Sequence, residues 1–321
     1  MYGTLAGNGV DISEEDPSWL KAKGDDFFRG GDFRSAINAY SSALDVDDQM
    51  ISCYSNRSAC FLKIGAPSDC RGDCMDAIEI IMNNIASGEM DDNDVIASRK
   101  TLAKLLMRKG ICNCHLGAYG DAIVDYESAI KELIGVGSSE SVVLEARSDL
   151  EKLSALQSAD RHKKRGDEEM AGGNIAQAIE LYTLALQASP MHVGCLSNRA
   201  AGKLATRDFE GCVSDCTAAL SVLEEDEGEA AGKIMSGVGT DSLSMLTAIL
   251  PPKGSDKRKS WFLKTLVRRG AAHAQTMDIE AAILDYGKAV ALDPTNTALK
   301  EDLNKLTNMR AGIRAETAKS Q

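Results

Sequence analysis

Small and apolar residues recur along the chain with a period near 34 residues, and each period joins two helical stretches. In four periods a Gly on the first stretch is followed by Ala, Tyr and Ala on the second. These residues are Gly24, Ala36, Tyr40 and Ala43; Gly110, Ala122, Tyr126 and Ala129; Gly166, Ala178, Tyr182 and Ala185; Gly270, Ala282, Tyr286 and Ala289. Two further periods, around YSNRSACFLK and LSNRAAGKLA, keep the spacing less regularly. A single helical hairpin cannot cover its own apolar face, so these hairpins must stack on one another.

The recurring residue types predict how the two helices of a hairpin touch. A small residue on the first helix lets the second approach closely, while Tyr and Ala fill the contact. Pro190 and Pro294 follow the second helix of two repeats, where proline ends a helix because it lacks a backbone donor. The pattern matches the tetratricopeptide repeat (TPR). We therefore predict an all-α TPR helical-hairpin solenoid of six repeats, arranged as two three-repeat groups.

Each three-repeat group is predicted to end in a capping helix, at 141–157 and at 297–309. The predicted organisation is a flexible N-terminus (1–16), a first triplet with its capping helix (17–157), a second triplet with its capping helix (158–311) and a flexible tail (312–321). An irregular acidic loop near 88–94 separates repeats two and three. Its longer counterpart between repeats five and six runs from about 224 to 259.

Composition limits the classes of function that the chain can have. Its 321 residues are 44% hydrophobic and 26% charged, as expected of a folded protein, and the net charge of −12 argues against general nucleic-acid binding. The sequence shows no signal peptide and no apolar stretch long enough to span a membrane. The nine cysteines lie within helical patterns, which favours a reducing compartment. We expect a soluble, cytoplasmic protein.

Five polar residues occur twice, in the same order. The two sets are Lys21, Asp25, Asn56, Lys104 and Arg108, and then Lys163, Asp167, Asn198, Lys264 and Arg268. The first three pairs lie 142 positions apart and the last two lie 160 apart. A duplicated three-hairpin unit with a longer loop in its second copy explains both offsets.

The spacing within each set predicts a shared groove. Lys and Asp, and then Lys and Arg, lie four residues apart on presumed first helices, so each pair shares a helix face. In stacked hairpins the first helices line the concave surface. Three cations and an amide there suit a ligand rich in carboxylates. The simpler interpretation, that these are solvated charges that pair helices, is weakened because the whole set recurs.

The two sets resemble the dicarboxylate clamp of co-chaperone TPR domains. That resemblance implies binding of heat-shock chaperones of the seventy- and ninety-kilodalton classes, whose tails end in Glu-Glu-Val-Asp. By position it assigns the peptide-binding role to the five residues of each set. One position departs from the family pattern, because Asp25 and Asp167 stand where the family has Asn. An ionised Asp accepts hydrogen bonds but cannot donate one to a ligand's carboxylate.

Longer stretches are similar to one co-chaperone family. These stretches are PSWLKAKGDDFF, AINAY and SNRSACFLK in the first copy and SNRAA, KSWFLKTLVRRGAA and ILDYGKAVALDP in the second. They resemble the C-terminal repeats of the dynein axonemal assembly factors, also called dyslexia-susceptibility co-chaperones, over about residues 17–132. The resemblance implies cytoplasmic preassembly of axonemal dynein arms, with dynein subunits as possible partners. It departs in two ways: no CS-like β segment precedes Pro17, and the typical member has one triplet. Other multi-triplet co-chaperones, such as the stress-inducible organising protein, stay open as relatives.

Other sites and functions are less favoured. Cys70 and Cys74 recur as Cys212 and Cys216, but free cysteines on helices usually pack in a core. Cys112, Cys114 and His115 point to different helix faces, which argues against a shared metal ion. We expect no cofactor, no metal and no enzyme activity. A general scaffold that binds internal peptide segments is the alternative function, and thiol chemistry is a distant third.

The substitutions Asp25→Asn and Asp167→Asn are expected to tighten binding of a peptide that ends in Glu-Glu-Val-Asp. Each removes a negative charge facing the ligand's carboxylates, and like charges at about 4 Å cost on the order of 1 kcal/mol in water. Isothermal titration calorimetry measures the change. Unchanged or weaker affinity would contradict the assigned role of the Asp.

Overall fold

The structure is a computed structural model that describes residues 16–224, 250–251 and 254–319, with side chains through 315. The described residues form thirteen helices and no strand. The helices are α1 (Pro17–Arg29), α2 (Phe33–Val46), α3 (Ile51–Lys63), α4 (Pro67–Ser87), α5 (Asp92–His115), α6 (Tyr119–Gly135), α7 (Glu140–Ala171), α8 (Ile175–Ala188), α9 (Val193–Ala205), α10 (Phe209–Glu224), α11 (Asp256–Gln275), α12 (Ile279–Leu292) and α13 (Thr297–Lys319). None of these helices has the length and apolar character needed to cross a membrane.

The helices belong to two compact units that divide between Leu153 and Ser154, within α7. In the first unit the hairpins α1/α2, α3/α4 and α5/α6 pack in sequence. In the second unit α7 pairs with α8, α9 with α10 and α11 with α12, and α13 packs on α12. The prediction of an all-α TPR fold is confirmed.

A glycine opposite a tyrosine sets the distance between the two helices in four hairpins. A Cβ at Gly24 would lie 2.6 Å from the ring of Tyr40, and a Cβ at Gly166 would lie 2.7 Å from the ring of Tyr182. Gly110 with Tyr126 and Gly270 with Tyr286 give 2.8 Å and 2.9 Å. These separations are too short for any side chain, so the glycine is what permits the close approach. The predicted role of the small residue is confirmed.

The turns inside the hairpins share one backbone geometry. In the first four repeats the turn residue with a left-handed backbone is a glycine: Gly31, Gly65, Gly117 and Gly173. In the last two repeats it is Arg207 and Met277, at φ 64° and 63°. Residues with a Cβ are strained there. The second unit therefore keeps the turn conformation at two positions where the favoured glycine is absent.

Helix ends agree with the sequence in some places and differ in others. Helices α8 and α12 end just before Pro190 and Pro294, as predicted. The predicted capping helix at 141–157 is not separate, because it continues into the first helix of repeat four as α7. The last helix continues to Lys319, so residues 312–319 of the predicted tail are helical. Neither helix meets a proline that would stop it.

Two other predicted segments lie largely outside the described residues. The structure describes residue 16 of the predicted flexible N-terminus and leaves the rest outside. Most of the predicted loop at 224–259 also lies outside. Of the shorter loop predicted near 88–94, residues 88–91 lie between α4 and α5, and residues 92–94 form the start of α5.

Gly24→Ala and Gly166→Ala are expected to lower the free energy of unfolding of their units by about 1–3 kcal/mol, because each new methyl group overpacks a tyrosine ring. Urea unfolding followed by tryptophan fluorescence measures each loss, with Trp19 reporting the first unit and Trp261 the second in single-tryptophan backgrounds. Gly72→Ala and Gly287→Ala are matched controls, since a Cβ there meets nothing within 4 Å. These controls should raise stability by up to about 1 kcal/mol. Equal effects at all four positions would contradict the packing argument.

Candidate peptide-binding grooves

Three helices direct polar groups at one carboxylate in the first unit. The Oδ2 atom of Asp25 accepts a hydrogen bond from Lys21 Nζ at 2.7 Å. Its Oδ1 atom accepts from the Tyr40 hydroxyl at 2.7 Å and from Asn56 Nδ2 at 2.9 Å. We call Lys21, Asp25, Tyr40 and Asn56 the first inner network. It ties α1, α2 and α3 together at the groove surface.

The second unit repeats this arrangement almost atom for atom. Asp167 accepts from Lys163 Nζ at 2.6 Å, from the Tyr182 hydroxyl at 2.8 Å and from Asn198 Nδ2 at 2.9 Å. Lys163, Asp167, Tyr182 and Asn198 form the second inner network. The duplication seen in the sequence therefore extends to matching hydrogen bonds.

The late Lys and Arg of each set lie on the first helix of the third hairpin. Arg108 on α5 donates from Nη1 to the Ser55 carbonyl at 2.6 Å and to Ser58 Oγ at 2.9 Å, so it reaches α3 beside Asn56. Lys104 lies one helical turn earlier and is exposed, with no ion pair or hydrogen bond among the residues that the structure describes. We call Lys104 and Arg108 the first outer cations.

Lys264 and Arg268 on α11 are the second outer cations. Arg268 Nη1 donates to the Ser197 carbonyl at 2.8 Å and to the Ser197 hydroxyl. Lys264 is exposed and, like Lys104, has no partner within the described part of the chain. Each groove therefore combines a paired inner network with an unpaired lysine.

Electrostatics distinguish the two parts of the groove. Burial alone would raise the pKa of the Asp25 carboxyl, but hydrogen bonds from Lys21, Tyr40 and Asn56 outweigh it and hold that pKa below its usual value. Burial, reinforced by Asp25, raises the pKa of the Tyr40 hydroxyl, so it stays protonated as a donor. Burial lowers the pKa of the Arg268 guanidinium. Asp25 therefore stays ionised at neutral pH and pairs with Lys21.

The two grooves are not identical. A cavity of about 260 Å³ in the second groove is lined by Asp167, Met170, Ala171, Tyr182, Asn198, Ala201 and Arg268. Its Met170 and Ala171 correspond to Phe28 and Arg29 in the first copy. At the start of α9, His192 caps the helix by accepting from the Cys195 N–H at 3.2 Å, where the first copy has Met50. Burial lowers the pKa of His192 and the nearby charge of Lys163 lowers it further.

The structure brings four of the five predicted site residues together within each unit, and it places Lys104 and Lys264 one helical turn before Arg108 and Arg268. Hydrogen bonds join Lys21, Asp25 and Asn56, and Arg108 contacts the residue beside Asn56. In the second unit Asp167, Asn198 and Arg268 line one cavity. Their role in peptide binding stays a prediction.

A set of arginine–aspartate ties was missed in the sequence. Arg57, next to Asn56, makes two bonds to the buried Asp73 at 2.9 and 2.7 Å and a third to Ser41 on the preceding hairpin at 2.9 Å. Arg199 does the same with Asp215 and Thr183, and Arg269 with Asp285 and Thr217. In each tie the basic residue precedes the acid by sixteen positions, as Lys109 precedes Asp125. That recurring spacing was the available signal.

The ties fix the first helices that carry the groove residues. Burial raises the pKa of the Asp73 carboxyl, and the bonds from Arg57 oppose this shift. The buried carboxylate of Asp73 therefore depends on Arg57 to stay ionised. Asp215 has a second partner, Lys203, at 3.0 Å.

The cysteines lie in the core, as expected. All nine are buried and unbridged. Burial raises the pKa of Cys60 to about 11 and that of Cys195 to about 12, so these thiols stay protonated at neutral pH. Cys212 differs, because a hydrogen bond from Cys216 lowers its pKa. Within the described residues no group of three His, Cys, Asp or Glu side chains could hold a metal ion.

Comparisons with known proteins find several similar sequences. Human sperm-associated antigen 1 is 22% identical over 92% of this chain and 32% of its own length. Hsp70-Hsp90 organizing protein 2 of Arabidopsis thaliana is 27% identical over 89% of this chain and 43% of its own. Dynein axonemal assembly factor 4 of Pongo pygmaeus is 33% identical over 38% of this chain and 27% of its own. The chain spans less than half the length of each relative, and the similarity to a dynein axonemal assembly factor expected from the sequence is confirmed.

Comparisons with family models and with solved structures give weaker similarities. No protein-family model matches the chain. The first TPR of Spaghetti (RPAP3) bound to an HSP90 peptide is 24% identical, covers 49% of this chain and 95% of its own, and has a TM-score of 0.35. The TPR2AB domain of yeast Sti1 in a pHSP90 complex is 18% identical, covers 90% of this chain and 96% of its own, and has a TM-score of 0.33. These likenesses concern the fold alone.

Arg57→Ala is expected to destabilise the first unit by about 3–5 kcal/mol, because it leaves Asp73 buried without its partner. Arg199→Ala should cost the second unit less, on the order of 1–3 kcal/mol, since Lys203 still pairs with Asp215. Urea unfolding measures both losses. The exposed Arg34→Ala and Arg165→Ala are controls and should change stability by no more than about 0.5 kcal/mol. A smaller loss for Arg57→Ala than for Arg199→Ala would contradict this ranking.

Proposed function

We propose that the chain is a non-enzymatic TPR co-chaperone adaptor in the cytoplasm. Its two grooves bind the acidic C-terminal tails of heat-shock chaperones of the seventy- and ninety-kilodalton classes. The adaptor acts in the preassembly of axonemal dynein arms. It uses no cofactor, and dynein subunits are candidate clients.

One observation carries the proposal: an exposed, unpaired lysine stands one turn from a groove-anchored arginine, once in each unit. Lys104 and Lys264 are the clearest cases of positive charge without a partner among the described groove residues. Unpaired charge next to an ordered arginine attracts an anionic ligand. A charge-assisted hydrogen bond in such a groove contributes about 1.5–3 kcal/mol.

The relatives support the class of partner. Their names include organizing proteins for Hsp70 and Hsp90 and a dynein axonemal assembly factor. Two grooves in one chain suit an adaptor that holds two chaperone tails, or one tail and one client. Linking two sites in this way raises the effective concentration of each ligand near the other.

A general scaffold that binds internal peptide segments is the second candidate. The inner networks favour it, because Asp25 and Asp167 already pair with Lys21 and Lys163. In a scaffold that relies on apolar contacts, the outer lysines would contribute little to affinity.

Lys104→Ala and Lys264→Ala are each expected to weaken one of two binding sites for a peptide ending in Glu-Glu-Val-Asp, and the double substitution to weaken both. Each should raise Kd at its own site about tenfold or more, matching the loss of one charge-assisted bond. Isothermal titration calorimetry gives the stoichiometry and the affinity.

Lys131→Ala and Lys288→Ala are matched controls. They remove the same charge from the second helices of the same hairpins, α6 and α12. Lys288→Ala also removes an exposed ion pair with Glu224 at 3.9 Å, which contributes little to stability. If the control variants lost as much affinity, the weaker binding would be explained by the change in net charge alone. Full binding by the double variant would favour the scaffold.

A further inference from the structure

The side chains expected to donate hydrogen bonds to a ligand's carboxylate already donate them to a carboxylate of the protein. Lys21 and Asn56 both donate to Asp25, at 2.7 and 2.9 Å. Lys163 and Asn198 both donate to Asp167, at 2.6 and 2.9 Å. The same arrangement in two separate units makes a chance side-chain orientation an inadequate explanation.

The inner network carries no net charge to attract a second anion. Lys21 and Asp25 cancel, and Tyr40 and Asn56 are neutral. The side chains of Lys21 and Asp25 keep 29% and 32% of their exposure, so a ligand can reach them. A ligand carboxylate placed on Lys21 would lie beside Asp25 Oδ2 across the same ammonium group, where the two anions repel each other.

The outer cations have the opposite character. Lys104 and Lys264 have no partner among the described residues, and their neighbours Arg108 and Arg268 donate only to neutral groups of α3 and α9. Their positive charge is therefore not cancelled within the groove. An anionic side chain of the ligand binds there without competing with a protein carboxylate.

We infer that Asp25 and Asp167 fill the inner anion position of each groove from within the protein, so that each groove binds the acidic side chains of a peptide and does not require a free C-terminal carboxylate. The inference rests on the proposed function, since it takes the acidic tail as the ligand and specifies which part of it is bound. The ligand class widens to acidic segments inside a chain. Asp25 and Asp167 act as specificity-determining residues.

A cycle of two proteins and two peptides tests the inference. The wild-type chain and the Asp25→Asn, Asp167→Asn double variant are each titrated with a peptide ending in Glu-Glu-Val-Asp and with its C-terminally amidated twin. In the wild type, amidation should change Kd by less than about threefold. In the variant, the freed Lys and Asn bind the terminal carboxylate, so amidation should raise Kd about tenfold.

Removing both partners of each inner ion pair, by Lys21→Ala with Asp25→Ala and Lys163→Ala with Asp167→Ala, provides a second, independent measurement that leaves the net charge of each groove unchanged. Because each pair carries no net charge, the loss of both pairs should weaken binding of the free-acid peptide by less than about threefold. Lys104→Ala and Lys264→Ala should weaken it tenfold or more. Circular dichroism checks that each variant stays folded.

Separate outcomes overturn the inference and the proposed function. A tenfold or greater loss on amidation in the wild type, equal to that in the variant, overturns the inference and leaves the co-chaperone proposal standing. A tenfold loss when both inner ion pairs are removed does the same. Absence of binding by both peptides to both proteins overturns the proposed function and the inference with it.

Discussion

The close contact between a glycine and a tyrosine underlies both the fold and the groove. Gly24 has no side chain, so the ring of Tyr40 lies directly against α1. That position brings the phenol hydroxyl to Asp25, which is adjacent to Gly24 in sequence. Asp25 in turn orients Asn56 on the next hairpin. A packing requirement inside one hairpin thus becomes a polar contact between two hairpins.

Among the hairpins that the structure describes, the inner network occurs only where the residue after that glycine is an acid. In repeats three and six the same contact is present, but Ile111 and Ala271 follow the glycine. Those hairpins supply the outer cations. Each three-repeat group therefore has a neutralised side on its first hairpin and a positive side on its third. For the proposed peptide ligand, this polarity favours acidic groups at the third hairpin.

The sequence predicts those features that depend on local residue types. The Gly–Tyr contact and the helix ends before Pro190 and Pro294 are confirmed because small residues and proline act through sterics alone. The repeated spacing of the two polar sets correctly predicted that these residues lie on neighbouring first helices. Such features are visible without knowing any side-chain partner.

Other features depend on choices that the sequence leaves open. The pairing of Asp25 with Lys21, Tyr40 and Asn56 required knowing which of several donors reaches the carboxylate. From the sequence, Asp25 was expected to repel a ligand carboxylate. The structure adds that Asp25 is paired with Lys21 inside the protein. The sequence suggested two helices in the region of α7, namely a capping helix for the first group and then the first helix of repeat four. No residue between them breaks the helix, so they form one continuous helix. The arginine–aspartate ties were visible as a spacing of sixteen, a period that spans the turn of each hairpin.

Complete burial of the nine cysteines makes them reporters of local opening. Six belong to the first unit and three to the second, and all lie between helices. An alkylating reagent can modify a thiol only after the surrounding hairpin separates. The labelling rate of each cysteine therefore measures how often its own hairpin opens, in repeats two, three and five.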